Sequence, residues 1–326
     1  MAALLVKSDS LRSRCEGFVY ALDKATGCQR WKYEVGDDIR TGVGLYLIDD
    51  NESGLKIPTL IFGGEGAWVY ALNAVTGELL WKYLATEHPF GMMTGTPAYH
   101  NGVVYIPVSS FEMILSVVPF FSCCNFSGAL VAVDGLTGKR IWIRNTIDEQ
   151  ATLQSRTILG VARQGPSGAS VWSQPAIVPE LGLALIGTSE NYTYPATDDS
   201  DAIIAIDLKN GEKIWQTQLT LNDVWNFACE FLIRTNCPKD HGPDFDFGAP
   251  PVYAQLKDGL ERLSGTRIET DIKTNGKEVL SEFGLIDSWH IVKEGKDGRM
   301  IAVEVELSEW FYNSILGNAV LSIDRD

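Results

Sequence analysis

ALDKATGCQRW, residues 21–31, is the stretch that decides the fold, because its pattern recurs three more times. The later copies are ALNAVTGELLW at 71–81, AVDGLTGKRIW at 132–142 and AIDLKNGEKIW at 205–215. Each copy keeps an Ala, an Asp or Asn two residues later, a Gly four residues further on and a Trp four residues beyond the Gly. Four anchors held in register four times indicate an internal structural repeat.

Each copy predicts a tight β-hairpin. Alternating and β-branched residues precede the Asp or Asn, which favours a strand. The side chains of Asp23, Asn73, Asp134 and Asp207 can accept hydrogen bonds from backbone N–H groups two or three residues on, which starts a turn. The following Gly suits the positive φ that closes the turn, and the chain returns as a short strand ending in Trp.

The spacing of the repeats predicts four-stranded propeller blades. Successive repeat Trp residues are 50, 61 and 73 residues apart, which leaves room for two further strands in each unit. Candidates for these strands lie at 59–62, 97–99, 103–108, 170–178 and 183–188. We expect neighbouring sheets to stack face to face, with the repeated Trp filling the gap between them.

Composition excludes several classes of protein. The chain has 326 residues and is 45% hydrophobic, which is enough for a sizeable core. Its 27 Lys and Arg against 42 Asp and Glu give a net charge of −15, which argues against a broad nucleic-acid-binding surface. No apolar run is long enough for a membrane span. The first fifteen residues do not form a secretory signal, which predicts a cytoplasmic location for the chain as given.

The composition changes near residue 254. Residues 255–326 contain no repeat motif, no Pro and no Cys. We expect a helix at 256–263, short strands at 266–272, 289–292 and 301–305, and a helix capped by Ser308. The sequence therefore predicts two domains, a propeller part at 1–253 and a small α+β part at 254–326.

Five motifs carry a family resemblance. They are CCNFSG at 123–128, GPSGASVWS at 165–173, GTSENY at 187–192, DVWNFAC at 223–229 and PDFDFG at 243–248. Together with the repeats, residues 16–253 resemble the pyrroloquinoline quinone (PQQ) repeat of quinoprotein β-propellers, in particular the polyvinyl-alcohol-dehydrogenase-like group. The resemblance implies a mainly β partial propeller of about three and a half four-stranded blades.

The same resemblance implies an activity and its partners. It implies oxidation of an alcohol substrate by hydride transfer to PQQ, with Ca²⁺ as a second cofactor, and a periplasmic location. No Cys-x-x-Cys-His haem motif is present in the sequence. Electrons would therefore leave to a separate acceptor such as cytochrome c.

The resemblance also assigns the groups that face the cofactor. It implies that Cys123 and Cys124 form a vicinal disulfide against one face of PQQ and that Trp172 is the floor under the other face. Two buried free thiols and a packing Trp are the alternatives. Glu190 and Asn191 are the implied oxygen ligands of Ca²⁺, and a solvated loop is the alternative.

The sequence also suggests roles for Asp223, for Ser127 and for the pair Cys229 and Cys237. Asp223 is the implied general base that takes the alcohol proton, with a solvated loop Asp as the alternative. It takes this role because Asn226, which follows Trp225, cannot act as a base. Ser127 stands where an Arg is expected to hold a PQQ carboxylate, which weakens the case for PQQ. Cys229 and Cys237 are close enough in sequence to pair across a short loop.

The tail resembles a second, unrelated family. Its stretches LERLSGTRIETDIKT, FGLIDSWHIVKE and GRMIAVEVELSEWFYNSIL are similar to the middle of plasmid replication initiator protein A, a winged-helix DNA-binding family. Residues 256–326 carry nine Lys and Arg against fourteen Asp and Glu, so no strong phosphate-binding surface is expected.

Three hypotheses of function follow. The first is a truncated PQQ-dependent alcohol dehydrogenase fused to a replication-initiator fragment. In this hypothesis no strand precedes the first repeat. The open blade edges would then favour self-association. The second is a non-catalytic propeller scaffold, against which the vicinal Cys pair argues. The third is a replication initiator, carried by the tail alone.

Overall fold

Strands dominate the chain, as the repeats predict. The computed structural model describes the backbone of residues 2–8, 17–50, 53–232, 234–255, 261–264, 292–293 and 300–301, and the side chains of 17–50, 53–232 and 234–253. The helical segments of this described part are one short helix, α1 (Glu112–Leu115), and a 3₁₀ turn at Phe227–Glu230. None of its helices is long and apolar enough to cross a membrane.

The first two sheets follow each other along the chain as antiparallel meanders. Blade 1 has three strands, β1 (Ala2–Ser8), β2 (Gly17–Asp23) and β3 (Gln29–Glu34). Blade 2 has four strands, β4 (Gly44–Asp50), β5 (Leu55–Gly63), β6 (Trp68–Asn73) and β7 (Leu79–Leu84). The repeat supplies the last two strands of each blade, so the hairpin predicted from the motif is present in both.

Blades 3 and 4 follow in the same order along the chain. Blade 3 contains β8 (Gly91–Met92), β9 (Ala98–His100), β10 (Val103–Ser110), β11 (Ala129–Asp134) and β12 (Arg140–Asn145). Blade 4 contains β16 (Ala176–Val178), β17 (Leu183–Gly187), β19 (Ala202–Asp207) and β20 (Lys213–Gln218). Two short pairs lie between and beside them, β13 (Thr152–Arg156) with β14 (Ala162–Gly165) and β15 (Ser167–Gly168) with β18 (Asn191–Thr193).

The remaining described strands form two small pairs. β21 (Val252–Gln255) pairs with β22 (Glu261–Ser264), and β23 (Val292–Lys293) pairs with β24 (Met300–Ile301). With the three-stranded blade 1 and the three complete blades, this confirms a mainly β, partial propeller.

The turn of each repeat forms as predicted. In the third copy the Asp134 carboxylate accepts hydrogen bonds from the N–H groups of Leu136 at 3.1 Å and Thr137 at 2.7 Å. The other three copies make the same pair of bonds. Gly138 closes the turn with φ +70°, and a Cβ on it would lie only 2.8 Å from the Trp81 ring. Conformation and packing therefore both require glycine at this position.

The repeated Trp joins each blade to the next one, as expected. Each indole N–H donates to the carbonyl oxygen of the residue that follows the Asp or Asn of the next repeat. The bonds are Trp31 to Ala74 at 3.2 Å, Trp81 to Gly135 at 2.8 Å and Trp142 to Leu208 at 3.2 Å. The Trp thus buries its ring between blades while its N–H keeps a partner.

The core lies between the blades because successive side chains of a strand point to opposite faces. Leu60 and Phe62 of β5 pack toward blade 1 with Val19, whereas Ile61 packs toward blade 3 with Val131. A further cluster joins blades 3 and 4, and another joins blade 4 to the segment that contains Phe247 and Tyr253. Each blade is thus stabilised by its neighbours, as expected of a propeller.

Three predicted elements differ from the structure. The predicted strand at 170–178 is confined to Ala176–Val178, because backbone N–H groups before it bond elsewhere, as in Val171 N–H to the Val108 carbonyl. A strand, β1, precedes the first repeat although none was predicted. The helix predicted at 256–263 is wrong at its end, because Glu261–Ser264 is a strand whose ladder with β21 overrides helix propensity.

The other tail predictions mostly lie outside the described residues. The strands predicted at 289–292 and 301–305 meet β23 and β24 only at Val292 and Ile301. The strand at 266–272 and the helix after Ser308 fall outside the described part, so the winged-helix expectation remains a prediction.

Candidate cofactor and metal site

The vicinal cysteines form a disulfide in the structure rather than two free thiols. Cys123 and Cys124 are joined across a cis peptide bond and are both fully buried. They pack in the core between blades 2 and 3, together with Phe126 and Tyr192. Tyr192 lies on β18, next to two of the predicted metal ligands. The strand that carries Asn191 thus also contributes to the core around the disulfide.

A buried carboxylate holds the loop that follows the disulfide. The Asn125 N–H donates to both carboxylate oxygens of Glu112, at 3.1 and 3.0 Å, and the Phe126 N–H donates to one of them at 2.9 Å. Burial raises the pKa of Glu112, while the Phe126 N–H, the nearby His88 and the Asn125 N–H oppose the rise. Both oxygens of the Glu112 carboxylate therefore already accept hydrogen bonds within the protein.

Three other carboxylates meet near Tyr192. Oxygens of Glu190, Asp244 and Asp246 lie within 4.8 Å of one another. Glu190 is fully buried, and its carboxylate receives no N–H group; its side chain meets that of Asp246, with which it can hydrogen-bond only by sharing a proton. Its backbone N–H donates to Asp246 Oδ1 at 3.2 Å, which fixes the two residues side by side.

Without a bound cation, burial and mutual repulsion disfavour the ionised forms of these carboxylates. Burial raises the pKa of Glu190 well above its usual range, and the charge of Asp246 adds to the rise. Burial, followed by the charges of Asp246 and Asp223, raises the pKa of Asp244 to about 8. A fixed cation would offset both effects, since it favours the ionised form.

Asn191, the other predicted ligand, uses its side chain within the protein. Its amide oxygen accepts the Thr197 N–H at 2.7 Å, and its amide nitrogen donates to the Ser167 carbonyl at 3.2 Å. Glu190 therefore contributes to the acidic cluster, whereas Asn191 ties the following loop to β15.

Sequence reasoning missed Asp244 and Asp246, although the motif PDFDFG contains both. Two acids one residue apart were the available signal, although strand alternation does not place them, because Asp244 has a φ of +62°. The hydrophobic residues of the motif, Phe245 and Phe247, are buried. What the motif does not reveal is that this segment packs against Glu190.

Asp223 lies beside the cluster and is fully buried. Its carboxylate accepts the N–H of Phe245 at 2.9 Å and the N–H of Asp244 at 3.3 Å. Its carbonyl accepts the Asn191 N–H at 3.1 Å. Asp223 thus connects the segment carrying Asp244 and Asp246 to the start of β18, where Asn191 lies.

The residues after Asp223 have structural contacts. The side chain of Asn226 donates to the carbonyls of Tyr192 at 2.9 Å and Asn236 at 3.0 Å. Cys229 and Cys237 form the second disulfide, with a Cα separation of 4.8 Å. The pairing that the sequence left open is therefore present.

Trp172 is half-buried and its carbonyl accepts the Thr94 hydroxyl at 3.2 Å. Its indole N–H and the hydroxyl of the adjacent Ser173 are buried without hydrogen-bond partners. Ser127, by contrast, donates to the carbonyl of Gly128 at 3.1 Å. Ser127 thus supplies no replacement for the guanidinium expected at its position.

The residues of this site can be compared with what a cation and PQQ each require. Buried carboxylate oxygens without donors are the ligands that a hard cation such as Ca²⁺ prefers, so the acidic cluster fits a cation. For PQQ the chain offers a vicinal disulfide, an indole and two unpartnered polar groups at Trp172 and Ser173. It does not offer an Arg at position 127.

The comparisons with known proteins agree with the repeats. A polyvinylalcohol dehydrogenase from Pseudomonas sp is 35% identical over 250 residues, which cover 76% of this chain and 38% of the relative. A solved quinohemoprotein alcohol dehydrogenase from Pseudomonas putida HK5 superposes with a TM-score of 0.55 at 20% identity, covering 82% of this chain and 38% of that chain. The chain therefore spans well under half the length of these relatives.

The tail matches different proteins. Residues 248–326 match the family model of replication initiator protein A. A putative replication protein from Wigglesworthia glossinidia brevipalpis is 44% identical over 77 residues, which cover 23% of this chain and 28% of the relative.

The repeat region itself matches the family model described as glucose/ethanol/alcohol dehydrogenase, beta-propeller domain, over residues 13–230. That range includes all four repeats, the vicinal disulfide, Trp172, Glu190 and Asp223. The chain belongs to this PQQ-type β-propeller family.

Proposed function

We propose that residues 1–253 form part of a PQQ- and cation-dependent alcohol dehydrogenase of the polyvinyl-alcohol type. The observation that carries this proposal is the acidic cluster, where a fully buried Glu190 carboxylate without donors faces Asp244 and Asp246. A protein seldom buries such a group unless a cation or a proton compensates its charge.

In this proposal Glu190, Asp244 and Asp246 hold the cation, which we take to be Ca²⁺. The disulfide Cys123–Cys124 and Trp172 would hold the faces of the PQQ ring, which requires the buried disulfide to be uncovered when the cofactor enters. When bound, PQQ accepts the hydride of the alcohol and the cation polarises its carbonyl group.

The chain's own residues orient these groups and move the proton. Asp223 is the proposed base for the alcohol proton, since Asn226 cannot accept one. It also positions Asp244 through the N–H bonds described above. Asn191 is proposed to act through the loop it holds rather than as a ligand, which revises the assignment made from sequence.

The experiment is retention of PQQ by the full chain. The protein is mixed with PQQ and CaCl₂, desalted and examined for quinone absorbance, beside the Glu190→Gln variant and a calcium-free sample. We expect retained absorbance only for the wild type with calcium. Absence of retained quinone in that sample would refute PQQ binding by this chain.

Location and electron transfer complete the proposal. Two disulfides among the described residues favour an oxidising compartment, which supports a periplasmic site of action. The electron acceptor is proposed to be a separate cytochrome c. Trapping the thiols of intact cells by alkylation tests the location, since cytoplasmic protein would carry reduced Cys229 and Cys237.

The tail is proposed as a separate unit that begins near residue 254. Its similarity to replication proteins supports this boundary. Limited proteolysis that cleaves near residue 254 and leaves a resistant fragment of residues 1–253 is the expected result.

A further inference from the structure

The loop after the vicinal disulfide is bonded to neighbouring strands only through its carbonyls, since Cys123 accepts the N–H of Gln164 and Phe126 accepts the N–H of Gly168. Residues Asn125 and Phe126 lie outside every described strand, yet both donate their N–H groups to one carboxylate, that of Glu112. Glu112 is only 1% exposed and opens α1. A neutral acceptor could not serve these N–H groups equally well, because hydrogen bonds to a charged group are about twice as strong.

His88 completes the arrangement from another loop. Its Nε2 lies 3.0 Å from Asn125 Oδ1 and 3.9 Å from Glu112 Oε1. Its ring packs edge-on against Phe126 at 5.3 Å. His88 also lines a cleft of about 510 Å³ that includes Phe111 and Met92. Glu112 and His88 thus contact the loop at its two N–H groups, the Asn125 amide and the Phe126 ring.

We propose that Glu112 and His88 are positioning residues that hold the Cys123–Cys124 disulfide in place. The significance of this role rests on the proposed function, in which the disulfide contacts PQQ, but the contacts themselves do not depend on it. The two sulfurs are fully buried. A reductant therefore reaches them only when the loop opens, and Glu112 sets how often it opens.

The test follows reduction of both disulfides in the same full-length chain. A water-soluble phosphine converts each S–S bond to two thiols and is itself oxidised to the phosphine oxide. Thiols are alkylated at timed intervals and counted by mass spectrometry for each Cys pair. Cys229–Cys237 serves as the internal control, and Glu87→Gln, at an exposed residue beside His88, serves as the matched variant.

In Glu112→Gln the new amide N–H₂ faces the loop N–H donors, so the loop opens more often. We expect reduction of Cys123–Cys124 to accelerate about tenfold, the effect of losing one charged hydrogen bond, while Cys229–Cys237 and the Glu87→Gln protein stay within about twofold of wild type. Unchanged reduction of Cys123–Cys124, or equal acceleration of both disulfides, would overturn the proposal.

A measurement on the wild type keeps the proposal testable if Glu112→Gln does not fold. Hydrogen exchange of the Asn125 and Phe126 amides must be slow, since only Glu112 protects them. Exchange as fast as in the exposed turn N–H of Ala25 would overturn the role of Glu112. These measurements need neither PQQ nor a cation, so a failure of the proposed function leaves their outcome unaffected.

Discussion

Two buried glutamates near Tyr192 have opposite surroundings. Glu112 and Glu190 are 1% and 0% exposed. The Glu112 carboxylate receives N–H groups from two residues and lies near His88. The Glu190 carboxylate receives no N–H group and lies within 4.8 Å of two other carboxylates.

The difference separates a structural group from a ligand. Burial raises the pKa of both carboxyls, but donors oppose the rise at Glu112 and the charge of Asp246 reinforces it at Glu190. The fold therefore compensates part of the charge of Glu112 and leaves that of Glu190 to a proton or a cation. The same substitution, Glu to Gln, is expected to have opposite effects at the two positions.

The largest expected effect is at Glu112. Glu112→Gln leaves buried N–H groups without their charged acceptor, and we expect the free energy of unfolding to fall by about 3 kcal/mol. Urea unfolding followed by Trp fluorescence measures it. The exposed Glu87→Gln control should change it by no more than about 0.5 kcal/mol. Equal losses in the two variants would remove the distinction between a buried structural carboxylate and a surface one.

At Glu190 we expect the free energy of unfolding to change in the opposite direction. Glu190→Gln removes an uncompensated buried charge, so without metal we expect the free energy of unfolding to rise by about 1–2 kcal/mol. The same variant should lose the stabilisation that CaCl₂ gives the wild type. A destabilised Glu190→Gln protein that still responds to CaCl₂ would show that Glu190 is structural, as Glu112 is.

Much of the fold could be predicted because the repeat acts locally. The Asp134 turn and the glycine that closes it depend on residues at most a few positions apart, and all four copies form as expected. The strand Glu261–Ser264 could not be predicted in this way, since it depends on pairing with β21. Local patterns predict hairpins, whereas pairing between distant segments has no periodic signal.

In the site, too, residues within local motifs could be predicted, whereas contacts between distant segments could not. Cys123, Cys124, Glu190 and Asp223 stand in motifs; in the structure the cysteines share a core cluster with Tyr192, and Asp223 bonds the neighbouring Asn191. The positions of Asp244 and Asp246 against Glu190 arise from packing across 54–56 residues, which no single motif contains. Glu112 was also missed, because a lone Glu opening a four-residue helix has no sequence signature.

The pH dependence of stability provides a further test of the acidic cluster around Glu190. The pKa of Asp244 is raised from 3.8 to about 8, so its contribution to stability is present below about pH 4 and is lost as the pH rises through about 8. Glu190 adds in the same direction. We expect the Tm of the metal-free chain to fall between pH 5 and pH 8, and CaCl₂ to remove most of that fall. Asp244→Asn should flatten the metal-free profile, and an unchanged slope would assign it to other groups.

The smallest expected effect is at His88, which supports Glu112 from 3.9 Å rather than by a direct hydrogen bond. His88→Gln keeps an amide donor near Asn125 Oδ1 but loses the ring contact with Phe126, so we expect a loss of about 0.5–1 kcal/mol in urea unfolding. In the Glu112→Gln background the same substitution should cost less, because the loop that His88 holds is already loosened. Full additivity of the two substitutions would show that His88 stabilises the cleft wall independently of the Glu112 carboxylate.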